Sequence, residues 1–182
     1  MPTDPTPDPT SDPASGSGVG APWAWPEAAI EGPSEFAARL REVLAAAAGQ
    51  GWQEMVFSDP DFADWPLGER AVAESLQAWD ASGRSLRLVA THFEGFQRSH
   101  ARFVSWRRLW DHIVQCRACS GAGAPDVPSA LWTPQGIVHR IDPLRSRGVS
   151  SVAPATRVAL RQALDECFQQ GRPAFAASVL GL

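Results

Sequence analysis

Short apolar segments alternate with helical segments through the middle of this chain, and that order limits its fold more than any other feature. Three segments have the length and apolar content of buried strands: residues 53–57 (QEMVF), 85–91 (SLRLVAT) and 112–117 (HIVQCR). Apolar residues at helical spacing separate them, and the second of these helices is predicted over residues 94–111. Strands separated by helices of this length form βαβ units, so we predict parallel strands with right-handed crossovers.

Further elements are predicted on both sides of this central unit. Ser34 is a suitable N-cap for a first helix, and Gly51 is a suitable end for it. Residues 131–141 are typical of a hairpin because two apolar runs flank Pro-Gln-Gly. A last helix begins near Pro154, and residues 174–182 have the character of an edge strand or arm.

We therefore predict a single α/β domain over residues 34–182, with a mixed, mainly parallel sheet flanked by helices. Its order is a βαβαβ unit, then a hairpin and a C-terminal helix. Residues 1–33 are rich in Pro, Asp and Thr and are predicted to be a disordered tail, with Trp23 and Trp25 offering the alternative of a short docked arm. The N-terminus is acidic, unlike a signal peptide, and no apolar run is long enough for a membrane span, so a cytoplasmic protein is expected.

The basic residues of the chain exclude several chemistries. All 16 of them are arginine, and the chain has no lysine and no tyrosine. Arginine keeps its proton near neutral pH, so Schiff-base chemistry and a lysine-dependent phosphate loop are excluded. A GC-rich genome is enough to produce this composition, and the net charge is −4, so arginine content alone does not indicate nucleic-acid binding.

Residues 56–117 (VFSDPDFADWPLGERAVAESLQAW through WRRLWDHIVQCR), LWTPQGIVHRIDPLRSRG and the ending FAASVLGL together resemble a known family. That family is a proteobacterial domain of unknown function, found alone or appended to GNAT-type acetyltransferases. The resemblance covers residues 52–182 and implies the topology of half a phospholipase D-type domain. The phospholipase D superfamily uses a histidine and lysine pair followed by an aspartate. His139, Arg140 and Asp142 are the nearest equivalent here, so the resemblance implies a degenerate half-domain without that phosphodiesterase activity.

Ligands of open parallel sheets bind at the carboxyl ends of the strands, and polar residues collect there in this chain. Asp59 and Asp61 follow the first predicted strand, and His92 follows the second. The Asp-x-Asp spacing is similar to that of haloacid dehalogenase-type phosphatases, which also need a lysine. These three residues are the candidate catalytic set of a phosphate-ester hydrolase that acts with or without a metal ion. The alternative is that the aspartates only form hydrogen bonds within the loop.

His112, Cys116 and Cys119 have spacing that resembles part of a zinc site. A fourth ligand would have to come from a distant residue, such as His92 or His139, and there is no second Cys-x-x-Cys. Ordinary reduced thiols are the favoured interpretation, so we predict no metal and no cofactor.

Arginines cluster on the predicted third helix and after the hairpin. Our leading hypothesis is a non-catalytic binding or interaction module for an anionic group or a protein partner. Its ligand-binding residues are predicted to be Arg102, Arg107, Arg108, Arg140 and Arg147. Nucleic acid is a possible but not a favoured ligand, a membrane partner is not expected, and a homodimer is predicted because a half-domain of this type gains from pairing.

Overall fold

The described residues form a mixed sheet of eight strands with helices on both faces. The structure is a computed structural model and describes residues 23–81 and 83–176. The strands are β1 (Ala28–Glu31), β2 (Glu54–Ser58), β3 (Ser85–Ala90), β4 (Val114–Ala118), β5 (Ser129–Trp132), β6 (Ile137–Asp142), β7 (Arg147–Ser151) and β8 (Arg172–Pro173). The helices are α1 (Pro33–Gln50), α2 (Arg70–Trp79), α3 (Phe96–Ser99), α4 (Ala101–Leu109) and α5 (Pro154–Gln170).

The strand order is β1-β7-β6-β5-β2-β3-β4-β8. Strands β2, β3 and β4 are parallel, as the alternation of strands and helices predicts. Every other neighbouring pair is antiparallel, so the prediction of a mixed sheet is confirmed but the prediction of a mainly parallel one is wrong. The β5–β6 hairpin joins the parallel half through β5, which pairs antiparallel with β2.

Strand β1 corrects the predicted boundary between tail and domain. Ala28–Glu31 pairs with β7, and the buried Trp25 donates a hydrogen bond from its indole Nε1 to Ser150 Oγ at 2.9 Å. Residues 23–33 therefore belong to the folded domain, because their few apolar side chains bury against β7 and α1 despite the surrounding Pro and Gly. The rest of the predicted tail, residues 1–22, lies outside the described residues.

The sheet separates two layers of apolar contacts. Phe57 of β2 and Leu88 of β3 pack on the side of α1, α2 and α4, whereas Val56 and Val89 pack on the side of α5. This division follows from the two-residue period of a strand, which sends successive side chains to opposite faces. The core therefore lies on both faces of the parallel strands and leaves their carboxyl ends accessible to a ligand.

The helix predicted over residues 94–111 is interrupted. It divides into α3 and α4 at His100, whose φ of −127° and ψ of 44° are not helical. Gly68 approaches this point so closely that a Cβ there would lie 2.5 Å from the carbonyl oxygen of Ser99. The buried His100 bonds through Nε2 to the carbonyl oxygen of Phe62 at 2.8 Å, so the interruption fastens α3 and α4 to the loop after β2.

At the C-terminal end, the predicted edge strand or arm over residues 174–182 is described only as far as residue 176, and residues 174–176 are not in a strand. The structure places the short strand β8 at Arg172–Pro173, where it pairs antiparallel with β4. Residues 177–182 lie outside the described residues.

Candidate functional site

The loops that follow β2, β3 and β4 meet at one edge of the sheet, where the sequence predicts a site. They surround a cavity of about 590 Å³, together with β6 and the segment that leads into β5. Cys119 and Arg140 line this cavity, whereas Asp59, Asp61 and His92 are not among its lining residues.

Asp59 lies just beneath the cavity, is 1% exposed and accepts five hydrogen bonds. Its Oδ2 accepts from Ser129 Oγ at 2.5 Å, from Arg140 Nη2 at 2.8 Å and from Trp65 Nε1 at 3.0 Å. Its Oδ1 accepts from the backbone N–H groups of Asp61 and Phe62 at 3.2 and 2.9 Å. A carboxylate engaged in this way stabilises the loop after β2 and has no capacity left for a nucleophilic or acid–base role.

The backbone conformation of Phe62 explains why the loop after β2 needs so many hydrogen bonds. Its φ is 58°, a left-handed conformation that costs free energy for a residue with a Cβ atom, yet its side chain is fully buried. Asp59 holds its N–H group and His100 holds its carbonyl oxygen. The polar side chains of this region therefore stabilise an unfavourable backbone conformation.

Arg140 reaches the same region from β6. Its Nε donates to Ser129 Oγ at 2.9 Å, its Nη1 to Asp64 Oδ2 and Ser146 Oγ, and its Nη2 to Asp59 and Asp64. The guanidinium lies 4.4 Å from the centre of the Phe36 ring. Burial lowers the pKa of Arg140, but the hydrogen bonds and charges of Asp64 and Asp59 outweigh that effect and raise it overall.

All five donors of Arg140 are therefore occupied, and two carboxylates compensate its charge. Arg140 was predicted to bind an anionic ligand, but in this arrangement it has no N–H donor left for one. The network of Asp59, Asp64, Ser129 and Arg140, which we call the strand-end network, instead ties the parallel half of the sheet to the antiparallel half.

The side chains of the other two candidate catalytic residues do not contact Asp59. Asp61 caps its own loop by accepting from the backbone N–H of Ala63 at 2.9 Å. The side chain of His92 is half exposed, and its Nδ1 lies 3.7 Å from a carboxylate oxygen of Glu94. The hydrolase hypothesis requires Asp59, Asp61 and His92 in one concave site, and the structure does not provide that arrangement.

The fold also separates the two cysteines of the zinc-like motif, Cys116 and Cys119. Cys116 packs in the core on the side of α4, whereas Cys119 packs with Val89 and Cys167 on the side of α5. Burial raises the pKa of the Cys116 thiol to about 12, so a thiolate there is disfavoured. Among residues 23–81 and 83–176, no three His, Cys, Asp or Glu side chains, His112 included, form a group that could hold a metal ion.

The predicted ligand-binding arginines do not form one surface. Arg107 is buried and donates to the carbonyl oxygen of Phe175, which makes it part of the packing at the end of α4. Arg147 is exposed on β7, and β7 lies five strands from β4, or about 24 Å across the sheet. Arg102 and Arg108 remain together on α4, and both are exposed.

Three exposed arginines lie close together in the sequence of α3 and α4. Within the described ranges, Arg98, Arg102 and Arg108 have no carboxylate within 4.0 Å, and Arg102 makes only a bond to the carbonyl oxygen of Gly68. Residues 94–117 contain five arginines against two carboxylates, a net charge of +3. The other described residues contain eleven arginines against fifteen carboxylates, a net charge of −4, so positive charge is concentrated in the α3–α4–β4 segment.

Two residues of the strand-end region had no role in the sequence-based hypotheses. Thr91 follows β3 and lines the cavity, and Ser129 begins β5 and bonds both Asp59 and Arg140. The position of Thr91 at the end of a predicted strand could have identified it as a candidate site residue. No sequence pattern could have identified Ser129, because its role depends on the pairing of β5 with β6.

Comparison with known proteins supports the fold alone. No protein-family model and no curated protein matches the chain. Among solved structures, the chain is similar to the archaeal chromatin protein TrmBL2, described as showing a novel mode of DNA binding, with 12% sequence identity and a TM-score of 0.61. The match covers 87% of this chain and 57% of TrmBL2, so the chain spans little more than half of that protein. Within the described ranges, every helix falls short of the length and hydropathy that crossing a bilayer requires.

Proposed function

We propose that this chain is a non-catalytic binding module for a polyanion, which it holds with Arg98, Arg102 and Arg108. The observation that carries the proposal is the charge separation described above, with +3 on residues 94–117 and −4 on the other described residues. A basic segment on an otherwise acidic domain favours the approach of an anionic ligand to the exposed arginines of that segment.

The state of these guanidinium groups supports the same conclusion. Each presents N–H donors to solvent in the fork geometry that matches a phosphate group. Arg70 beside Glu74 and Arg145 beside Asp142 already pair with a carboxylate. Arg147 and Arg172 are exposed without such a partner among the described residues, but they lie singly on β7 and β8. A phosphate would have to displace that carboxylate at Arg70 or Arg145 but not at the three arginines of α3 and α4.

The polyanion that fits these groups best is the phosphate backbone of a nucleic acid. TrmBL2 shares the fold and is described as binding DNA, which is compatible with this choice without specifying it. Phosphate contacts of this kind are independent of base sequence and weaken steeply with salt. Three arginines predict modest, non-specific affinity, with a dissociation constant on the order of 10⁻⁴ to 10⁻⁶ M at physiological salt.

Fluorescence anisotropy with a labelled 20-base-pair duplex tests the proposal. The triple variant R98A/R102A/R108A should lower the affinity at least tenfold and reduce the slope of log K against log salt by about 2.7, since each lost phosphate contact removes about 0.9. The matched control R39A/R70A/R145A removes the same charge from three arginines that pair with carboxylates, and its affinity should change less than threefold. Equal losses in the two variants, or no binding by the wild-type chain at 50 mM salt, would refute the proposal.

A further inference from the structure

The cavity at the strand ends is separate from the arginines of the proposed polyanion surface. Its volume of about 590 Å³ lies within the usual range for small-molecule sites. Pro60, Thr91 and Ser120 line it from the parallel half of the sheet, and Ser129 and His139 line it from the antiparallel half. The cavity thus occupies the position where open α/β sheets bind their ligands.

The residues that line the cavity provide almost no uncompensated charge. Arg140 is the cationic residue of the lining, and Asp59 and Asp64 already compensate its charge. Asp126 is the acidic residue of the lining, and it is exposed to solvent at the rim. Burial lowers the pKa of His139, so its imidazole is neutral near pH 7. An anionic ligand would find no uncompensated positive charge here, so the site favours uncharged molecules.

Three lining side chains have unused hydrogen-bonding capacity. Thr91 after β3, Ser120 after β4 and His139 on β6 have no hydrogen-bond partner for their side chains in the described part of the chain. A neutral imidazole offers one donor and one acceptor, and each hydroxyl offers both. These groups come from three different elements, so a ligand in the cavity can be held from three directions.

The remaining walls are apolar. They are formed by Pro60, Pro125, Val127, Pro128 and Ile141. Ile141 is 64% exposed, and a ligand in the cavity would partly cover it. Proline rings and aliphatic groups suit the faces of a ring compound, while the polar groups suit substituents on its edge.

We infer that the strand-end cavity binds a small uncharged ring compound that carries an amide or hydroxyl group. Thr91, Ser120 and His139 hold the polar group, and the proline-rich wall packs against the ring. The inference is independent of the polyanion surface because it uses none of the exposed arginines.

Matched pairs of probes test the class of ligand. Ligand-observed NMR on the full chain would compare benzamide with benzoate and nicotinamide with nicotinate, pairs that differ in charge but hardly in size. We expect the amides to bind with dissociation constants on the order of millimolar. The acids should bind at least tenfold more weakly. Binding by neither amide, or equal binding of amide and acid, would overturn the inference.

Variants then place the probe in the cavity. His139→Ala and Thr91→Val should each weaken binding of the amides about 3- to 10-fold, the effect of one lost hydrogen bond. His92→Ala is the matched control because His92 is half exposed and does not line the cavity, and it should leave the affinity unchanged. The variant R98A/R102A/R108A should also keep it. Far-UV circular dichroism would confirm that each variant is folded, and an equal loss in H92A would contradict the assignment.

Discussion

At the carboxyl ends of the parallel strands, the side chain of Arg140 is 5% exposed and every one of its N–H groups has an acceptor. On α3 and α4, Arg98, Arg102 and Arg108 are exposed and have no carboxylate within salt-bridge distance in the described part of the chain. Both regions contain arginine, yet the N–H donors of Arg140 all bond within the fold, whereas those of the α3 and α4 arginines face solvent. The comparison teaches that the acceptors around an arginine, more than the arginine itself, decide whether it stabilises the fold or contacts a ligand.

Removal of Arg140 gives the largest expected effect. Arg140→Ala should lower the free energy of unfolding by about 3–5 kcal/mol, because Asp59 would stay buried without its compensating charge. Arg145→Ala is a matched control from the same hairpin, since Arg145 is 70% exposed and pairs only with Asp142. Urea unfolding followed by circular dichroism measures both. A loss below 1 kcal/mol in R140A would show that the strand-end network is not structural.

The partner carboxylate should give the next largest effect. Asp59→Asn should cost about 2–3 kcal/mol, because an amide cannot accept all of the hydrogen bonds that Asp59 receives. Asp61→Asn, which alters only a loop cap, should cost less than 1 kcal/mol. Because Asp59 and Arg140 touch, the double variant D59N/R140A should lose less than the two single losses together. If the double variant loses as much stability in urea unfolding as the two single variants together, Asp59 and Arg140 are not coupled.

Buried histidines should make stability depend on pH. Burial lowers the pKa of His100 and of His139 below the ordinary value of 6.5, although the bond from His100 to Phe62 partly opposes the shift. The unfolded chain therefore takes up these protons at higher pH than the folded chain. Stability should be complete above about pH 6.5 and should fall as the pH decreases toward the folded-state pKa values.

His100→Gln keeps a donor for the carbonyl oxygen of Phe62 and cannot titrate, so it should flatten part of that decline. At pH 7 it should cost about 1–2 kcal/mol through altered packing. Thermal unfolding between pH 5 and pH 8 makes the measurement. A wild-type stability that rises as the pH falls from 7 to 5 would contradict the assignment of neutral, buried imidazoles.

The exposed arginines should give the smallest effect on stability. Arg108→Ala should change the free energy of unfolding by less than about 0.5 kcal/mol, because the side chain contacts solvent. The same substitution should reduce duplex affinity measurably in the anisotropy experiment. If R108A destabilised the domain as much as R140A, the distinction between structural and ligand-facing arginines would fail.

The parallel half of the sheet could be predicted from sequence because β2, β3 and β4 are apolar runs separated by amphipathic helices. Strand β7 (RGVSS) has a single large apolar residue, and β1 lies between proline and glycine residues, so neither carries a clear local signal. Their pairing depends on contacts between residues that are distant in the sequence. At Gly148 of β7, for example, a Cβ atom would lie 2.1 Å from the carbonyl oxygen of His139 on β6, so this close contact requires a glycine.

The position of a cavity at the strand ends was predictable, but the roles of the residues around it were not. Open α/β sheets bind ligands at the carboxyl ends of their strands, and the cavity lies there. Asp59 and Arg140, however, were assigned separate roles in catalysis and ligand binding, and they lie 81 positions apart in the chain. Their charges compensate each other because the β5–β6 register pairs Arg140 with Ser129. Strand β5 also pairs with β2, so this pair lies beside the end of β2, where Asp59 follows. No local pattern reports such a pairing, since it depends on which strand joins which.

The two edge strands have a consequence for how copies of this chain can associate. Strand β8 is two residues long and ends in Pro173, which lacks the N–H group needed to continue a ladder. Strand β1 is four residues long, and exposed glutamates lie at its last residue, Glu31, and directly before its first, at Glu27. Short, charged or proline-containing edges resist the addition of a further strand, so the two edges of the described sheet disfavour edge-to-edge pairing. For a homodimer of the predicted kind, we therefore expect helix or loop surfaces to be used in preference to these edges.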